Sequence, residues 1–212
     1  KIGSIRLQPE KPFRWASGYY MPIYNDNRML LGNADHRTFV ASAFEGILKR
    51  ESIDCDVIAG TATAGIPHAT SLADRLGKPM VYVRSSAKGH GLENRIEGVA
   101  EPSELEGKRV VLIEDLISTG GSSIKAVNAL REAGAELQYC LAIFSYGLEK
   151  AETAFAELDP PCSCIPILEY ERMVSVALAE GYIDEEKQAH LLEWRRDPFG
   201  WGEARGFPPE KE

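Results

Sequence analysis

Short, wholly apolar runs alternate with amphipathic segments along most of this chain. Phe39, Phe44 and Ile47 share one face of a predicted helix from Asp35 to Glu51, and Asp35 is its expected N-cap. The expected strands are Cys55–Ala59, Met80–Val83, Val110–Ile113, Gln138–Phe144 and Cys164–Leu168. The remaining expected helices are Ile66–Leu76, a helix carrying Ile124, Val127 and Leu130, one reaching Phe155, Met173–Ala179 and Glu185–Trp194. This alternation predicts an α/β fold with an open, mostly parallel sheet flanked by helices.

Loops of small or polar residues follow four of the expected strands directly. They begin at Gly60, Arg84, Glu114 and Ser145. In an open parallel sheet, ligand loops gather outside the carboxyl ends of the strands, at the point where the strand order reverses. We therefore expect these four loops to lie on one edge of the sheet.

The segment Arg109–Ser123 (RVVLIEDLISTGGSS) joins a strand, two carboxylates and a loop of hydroxyl residues and glycines that leads into a helix. Such a loop can direct backbone N–H groups and the positive end of the helix dipole at one phosphate. Because carboxylates repel phosphate, the expected partners of Glu114 and Asp115 are neutral hydroxyls beside it, as on a ribose. The alternative is an ordinary strand-to-helix turn, in which the glycines and serines serve turning and capping.

Two further loops carry candidate chemistry. Gly60–Pro67 consists of small residues, which let backbone amides approach a ligand closely, although a tight turn accounts for the same residues. Arg84–Gly98 is polar, rich in glycine and without a period, so we expect it to be exposed and mobile.

Composition narrows the class of protein. The chain has 212 residues, of which 44% are hydrophobic and 26% charged, as expected for one globular domain. The net charge of -8 argues against a nucleic-acid partner, and no apolar run approaches the roughly 20 residues of a membrane span. No signal-peptide pattern is visible at the N-terminus, so we expect a cytoplasmic protein. The four cysteines do not form a disulfide framework or a zinc site, and we expect buried thiols.

Three motifs resemble a known family. IEDLISTGGSS is similar to the phosphoribosyl-pyrophosphate (PRPP) motif of type I phosphoribosyltransferases. FRWASG near the N-terminus, and the R-x-x-x-K-x-H-G spacing of Arg84, Lys88 and His90, resemble the orotate phosphoribosyltransferases within that group. The resemblance implies a type I phosphoribosyltransferase fold as one domain over residues 1–212. Its parts are an N-terminal hood over about residues 1–34, a flexible catalytic loop over about 84–98 and a surface tail over about 197–212.

The same resemblance implies site residues. The catalytic residues are Lys88, His90, Arg84 and Asp115. PRPP is bound by these four and by Glu114, Leu116, Ile117, Ser118, Thr119, Gly120, Gly121, Ser122, Thr61, Ala62, Thr63, Ala64 and Lys78. Orotate is bound by Ser118, Arg28, Tyr24 and Tyr146. Alternatively, Lys78 only caps the C-terminus of the preceding helix.

Some positions depart from the family pattern. Ser85 stands where a lysine often follows the arginine, and Asn25 stands where cysteine or phenylalanine is common. IFSYG lacks the arginine that grips orotate's carboxylate in some members, so Arg28 is the candidate substitute.

The resemblance implies transfer of the 5-phosphoribosyl group from PRPP to orotate, giving orotidine 5′-monophosphate and pyrophosphate in pyrimidine biosynthesis. It also implies Mg²⁺ held mainly through PRPP and water, with no metal ligands on the protein, and a homodimer whose loop acts in trans. The alternatives are a purine or uracil acceptor, or a non-catalytic PRPP sensor. A sensor that regulates transcription needs a basic nucleic-acid surface, and the sequence shows none.

Overall fold

A computed structural model describes residues 2–85 and 95–210. The strands are β1 Ile5–Leu7, β2 Phe13–Arg14, β3 Tyr20–Met21, β4 Ile23–Asn25, β5 Val57–Thr61, β6 Met80–Val83, β7 Ile96–Glu97, β8 Arg109–Ile117, β9 Glu136–Ser145 and β10 Ser163–Glu169. The α-helices are α1 Ala34–Arg50, α2 Gly65–Leu76, α3 Gly121–Glu132, α4 Glu149–Ala156, α5 Tyr170–Ala179 and α6 Glu185–Arg196. Short 3₁₀ helices cover Asn27–Gly32, Pro102–Leu105 and Glu203–Arg205.

A central sheet with the strand order β10-β9-β8-β5-β6-β7 organises the molecule. Neighbouring strands are parallel except for β7, which pairs antiparallel with β6. The strand β8 is buried on both faces, and its apolar residues alternate between them. Val111 and Ile113 pack in the cluster under α1 and α2, whereas Val110 and Leu112 pack in the cluster under α3 and α4. The predicted α/β fold with a mostly parallel sheet is confirmed.

The N-terminal strands form two small antiparallel ribbons, β1 with β4 and β2 with β3. Met21 and Ile23 of these ribbons are fully buried against a cluster that includes Tyr146 and Trp194. Trp15 joins the same cluster, and its Nε1 donates to the carbonyl oxygen of Ile23 at 2.9 Å. The hood is thus packed onto α5, α6 and the carboxyl end of β9.

Residues 199–210 lie at the surface and pack against the hood. Trp201 is 2% exposed, and the ring of Phe199 lies 5.1 Å from that of Tyr19 in the hood. The backbone N–H of Glu210 donates to the carbonyl oxygen of Gly18 at 3.0 Å. The segment packs on the hood because its aromatic residues find partners there, which a composition rich in glycine, proline and charge does not reveal.

The start of α1 also differs from prediction. Its N-cap is Asn33, whose side chain accepts a hydrogen bond from the backbone N–H of Asp35 at 2.7 Å, so Asp35 lies in the first turn. Within residues 2–85 and 95–210, every helix is too short or too polar to cross a bilayer.

Candidate active site

The carboxyl ends of four neighbouring strands meet at one edge of the sheet. β9, β8, β5 and β6 end at Ser145, Ile117, Thr61 and Val83. From β5 the chain continues to β6 on one side, and it later returns to place β8 on the other side. The crevice between β5 and β8 is therefore the switch point at which such sheets bind ligands. The described starts of the loops that follow these strands converge as expected.

Glu114 lies inside this edge and is only 5% exposed. One of its carboxylate oxygens, Oε1, accepts a hydrogen bond from the backbone N–H of Asp115 at 3.0 Å. The other, Oε2, accepts from the hydroxyl of Ser123 in the first turn of α3 at 3.0 Å. Both oxygens are thus engaged within the protein, and Glu114 ties the end of β8 to the loop that follows it.

Asp115 is the more accessible acid of the pair. Its carboxyl is partly buried, and this burial, reinforced by Glu114, raises its pKa to about 7. The side-chain amide of Asn27 donates to the backbone oxygen of Asp115 at 2.6 Å, which joins the hood to β8. Near neutral pH this carboxyl is divided between its protonated and ionised forms.

The loop after Asp115 leads into the N-terminus of α3. Gly120 adopts the left-handed conformation with φ +79°, and α3 begins at Gly121. Within the described residues, α3 has no side-chain cap, so its first N–H groups face the crevice unpaired by a capping side chain. Ser118 and Thr119 of the loop are partly exposed beside it. A phosphate is the ligand that such a helix N-terminus favours.

The second loop lies across the crevice, between β5 and α2. A Cβ on Gly65 would lie 2.5 Å from the carbonyl oxygen of Ile113 and 2.5 Å from Oγ1 of Thr61, so the first turn of α2 sits directly on β8. Thr61 also donates to that carbonyl at 3.3 Å. The Ala62–Thr63 peptide is cis, and α2, like α3, begins without a side-chain cap in the described chain.

A cavity of about 180 Å³ joins this second loop to the start of the third. It is lined by Thr61, Ala62, Val83, Arg84, Ser85, Ser122, Lys125 and Ala126. Arg84 faces Glu97, with 3.3 Å between Nη1 and Oε1. Lys125 was not predicted as a site residue. The sequence could have revealed Lys125 because it stands three residues after Ser122, a spacing that places both side chains on one face of the first turns of α3.

The structure does not bring every predicted residue to this edge. Lys78 precedes β6 and therefore lies at the opposite, amino edge of the sheet. There it lines a separate cavity with Asp54 and Cys55. Lys88 and His90, like most of the predicted catalytic loop, lie outside the described residues.

The residues predicted to bind orotate lie on or near the hood, in different environments. Tyr146 is 1% exposed and packs 5.3 Å from the ring of Trp15. Tyr24 lies beside Phe13 on the partly exposed side of the hood. Arg28 is exposed and forms an ion pair with Asp26, with 2.7 Å between Nε and Oδ1. Its neighbour Asn27 donates to the backbone oxygen of Asp115, which brings this part of the hood to the rim of the crevice.

The side chains around the crevice determine which kind of metal ion could bind there. In the ranges 2–85 and 95–210, no group of three or more histidine, cysteine, aspartate or glutamate residues could hold one. Glu114 is only 5% exposed, which leaves Asp115 as the more accessible carboxylate at the crevice. These residues fit a hard cation that takes most of its ligands from substrate oxygens and water, as Mg²⁺ does.

Comparisons with known proteins agree with this geometry. The model of the phosphoribosyl transferase domain family matches residues 38–176. An orotate phosphoribosyltransferase from Listeria innocua is 48% identical over 202 residues, covering 95% of this chain and 94% of its own. One from Bacillus caldolyticus is 47% identical, with 95% of each chain covered. The crystal structure of orotate phosphoribosyltransferase from Aeropyrum pernix superposes with a TM-score of 0.70 at 26% identity, covering 86% of this chain and 96% of that one.

Proposed function

The chain belongs to the orotate phosphoribosyltransferases of the phosphoribosyl transferase domain family, and from this premise we propose how its residues act. The enzyme transfers the 5-phosphoribosyl group of PRPP to orotate, giving orotidine 5′-monophosphate and pyrophosphate in pyrimidine biosynthesis. One observation carries the assignment of roles: two acids at the end of β8 lie between the uncapped N-termini of α2 and α3.

We propose that the loop Ser118–Ser122 and the start of α3 bind the 5-phosphate of PRPP. The loop Thr61–Ala64 at the start of α2 would bind the pyrophosphate, since the two helix ends flank the same crevice. Asp115 accepts hydrogen bonds from the ribose hydroxyls, which lie between the 5-phosphate and the pyrophosphate. Glu114 orients the loop through Ser123 and the N–H of Asp115, and the remaining lone pairs of its carboxylate accept a hydrogen bond from a ribose hydroxyl.

The proposed chemistry needs no covalent nucleophile. As the bond to pyrophosphate breaks, C1 of the ribose gains positive charge, and the carboxylates of Asp115 and Glu114 stabilise that charge. Arg84, Lys88 and His90 close on the leaving pyrophosphate and exclude water. For Arg84 this closure exchanges its contact with Glu97 for one with phosphate. Asp115 is the carboxylate that would face a bound Mg²⁺, which would supply further neutralisation of the leaving group.

We propose that orotate lies between the hood and the carboxyl end of β8. Ser118 contacts the base from the sheet side, Tyr24 covers it from the hood, and the buried ring of Tyr146 supports the cluster beneath. Arg28 binds the carboxylate of orotate in exchange for its exposed ion pair with Asp26. The hydrogen bond from its neighbour Asn27 to the backbone oxygen of Asp115 supports this position. Lys78 is left out of the site because it lies at the other edge of the sheet.

We further propose that the chain acts as one phosphoribosyltransferase domain in a cytoplasmic homodimer. Phe39 and Met29 are 67% and 41% exposed, and large apolar side chains in such positions favour a protein interface. Cys140 and Cys164 lie opposite each other on β9 and β10 as free thiols, as expected in a reducing compartment.

The acceptor and the roles are tested by the loss of orotate absorbance on adding PRPP and Mg²⁺, with uracil, hypoxanthine and adenine as controls. We expect turnover with orotate alone, and turnover with a purine would contradict orotate as the acceptor base.

The proposal that the loop of one subunit acts in the site of the other is tested by mixing two inactive variants, Lys88→Ala and Asp115→Asn. Subunit exchange would create dimers with one intact site and restore part of the activity. A mixture that stays inactive while the subunits exchange would show that the loop acts in cis.

A further inference from the structure

The cavity between α3 and the loops after β5 and β6 contains a lysine that the proposed roles do not use. The cavity has a volume of about 180 Å³, and Lys125 is one of its lining residues. Lys125 lies at the start of the second turn of α3, and it is exposed. Most exposed lysines are only solvated, so the place of this one in a cavity beside the crevice requires a physical reason.

The packing of α3 brings Lys125 to the carboxyl ends of β5 and β6. Ala126, the next residue, is buried in one cluster with Ala59 of β5 and Val83 of β6. Side chains on a helix lean toward its N-terminus. The side chain of Lys125 therefore extends toward the first turn of α3, where Ser122 lines the same cavity.

The described side chains that line the cavity form a donor set for an anion. Two of them, Arg84 and Lys125, are cations, and three carry hydroxyls: Thr61, Ser85 and Ser122. None of the described lining residues is acidic. In a chain with a net charge of -8, this is a local excess of positive charge. Such a cavity favours a negatively charged ligand.

The two cations of the cavity are held differently. Arg84 has a carboxylate partner in Glu97, with 3.3 Å between Nη1 and Oε1. Within residues 2–85 and 95–210, Lys125 forms no ion pair. Lys125 can therefore bind an anion without first giving up a contact with a carboxylate, whereas Arg84 must exchange one.

The sheet order indicates which phosphate of PRPP is closest to the cavity. The loop proposed for the 5-phosphate follows β8, and the loop proposed for the pyrophosphate follows β5. The strand β6 lies on the side of β5 that is away from β8. Because the end of β6 supplies Val83, Arg84 and Ser85, the cavity extends from the pyrophosphate loop away from β8. An anion in it is therefore a neighbour of the pyrophosphate group.

We propose that Lys125 binds the pyrophosphate group of PRPP, and the pyrophosphate product, in this cavity. The proposal rests on the roles given to the loops after β5 and β8 in the proposed function. The ammonium of Lys125 contacts a phosphate of this group as PRPP enters, and Arg84 adds its charge when it exchanges Glu97 for phosphate. Lys125 is thus a binding residue for the sugar donor, with no part in the binding of orotate.

Inhibition by two anions tests this role. Pyrophosphate and ribose 5-phosphate are each measured as inhibitors against PRPP, at one ionic strength, for the wild type and for Lys125→Gln. We expect the inhibition constant of pyrophosphate to rise about three- to tenfold, as for one charged contact at a partly exposed site. The KM for PRPP should rise with it. The inhibition constant of ribose 5-phosphate and the KM for orotate should stay unchanged.

Two control variants separate a direct contact from other effects. Lys125→Arg keeps the charge and should retain most of the affinity for pyrophosphate. Lys150→Gln removes an exposed lysine of α4 that does not line the cavity, and it should leave both inhibition constants unchanged. A loss in Lys150→Gln equal to that in Lys125→Gln would show that only the net charge matters, and would overturn the proposal.

Relocating the charge gives a second test. Ser85 lines the same cavity, so Ser85→Lys returns an ammonium to it when combined with Lys125→Gln. We expect this double variant to recover most of the affinity for pyrophosphate. The comparison variant combines Lys125→Gln with Ser175→Lys at an exposed position of α5, and should recover none. Recovery that is no greater at Ser85 than at Ser175 would contradict a contact within the cavity.

The inhibition data also separate the two levels of inference. A wild-type enzyme in which pyrophosphate does not compete with PRPP would contradict the proposed pyrophosphate loop, and the role of Lys125 with it. Competition by pyrophosphate that is equally strong in the wild type and in Lys125→Gln would leave the proposed function standing and refute only the role of Lys125. Equal losses for pyrophosphate and ribose 5-phosphate would also refute that role.

Discussion

Replacing Gly65 by alanine tests whether close contact between α2 and β8 positions the pyrophosphate loop. The added Cβ would lie 2.5 Å from the carbonyl oxygen of Ile113, a backbone atom of a central strand that cannot turn aside. It would lie equally close to Oγ1 of Thr61, which donates to the same carbonyl. The first turn of α2 must therefore move away from β8. Overpacking of this kind costs about 1–3 kcal/mol, and we expect the free energy of unfolding in urea to fall by that amount.

The same movement should impair catalysis. A displacement of about 1 Å in a positioning element can cost roughly a hundredfold, and we expect a loss of that order in kcat/KM for PRPP. The matched control is Gly46→Ala in α1, where no described atom outside the chain neighbours and the helix backbone lies within 4 Å of the added Cβ. There, removal of a helical glycine should stabilise the protein by about 0.5–1 kcal/mol and leave the kinetics unchanged. Wild-type stability and kinetics for Gly65→Ala would refute the argument that this contact sets the loop.

Three further predictions address individual side chains. Lys88→Ala should lower kcat by about a hundredfold with little change in PRPP affinity for the open enzyme, and equal losses in both would refute a closing loop. Lys78→Ala should leave kcat and the KM for PRPP near wild type, because Lys78 lies at the amino edge of the sheet, and a tenfold loss would place it in the site. Asp115→Asn should raise the melting temperature of the free protein by more at pH 8 than at pH 4. The raised pKa means that the fold disfavours the ionised carboxyl, so its cost builds up as pH rises from the unfolded pKa of 3.8 to the folded pKa of about 7 and is complete above that, and a gain of equal size at both pH values would contradict a buried acid.

The arrangement of the site was predictable wherever it follows from local pattern and topology. The apolar run of β8 marks a strand buried on both faces, and Glu114 and Asp115 follow at its end. The small residues from Gly60 mark a second loop after a parallel strand. Because both strands run in the same direction, their loops must meet at one edge, and they do.

The individual roles were less predictable, since they depend on contacts between distant segments. Resemblance placed Lys78 in the site, whereas its position before β6 rather than after it puts it at the opposite edge. Glu114 and Asp115 are adjacent acids in the sequence, yet only the fold shows that Ser123 engages one of them. The burial of His68 arises only when α2 packs on β8, so its place in a helical pattern of the sequence does not reveal it.

The hydrogen bond between Glu210 and Gly18 has a consequence for the order in which parts of the enzyme fold during translation. The loops that we assign to PRPP end by residue 123, and the strands that carry them can pair once β8 and β9 have left the ribosome. The ribbon of β2 and β3 gains its contacts with residues 199–210 only after α6 has been synthesised. The part of the site that we assign to the sugar donor can therefore assemble earlier in translation than the part of the hood that contacts these residues.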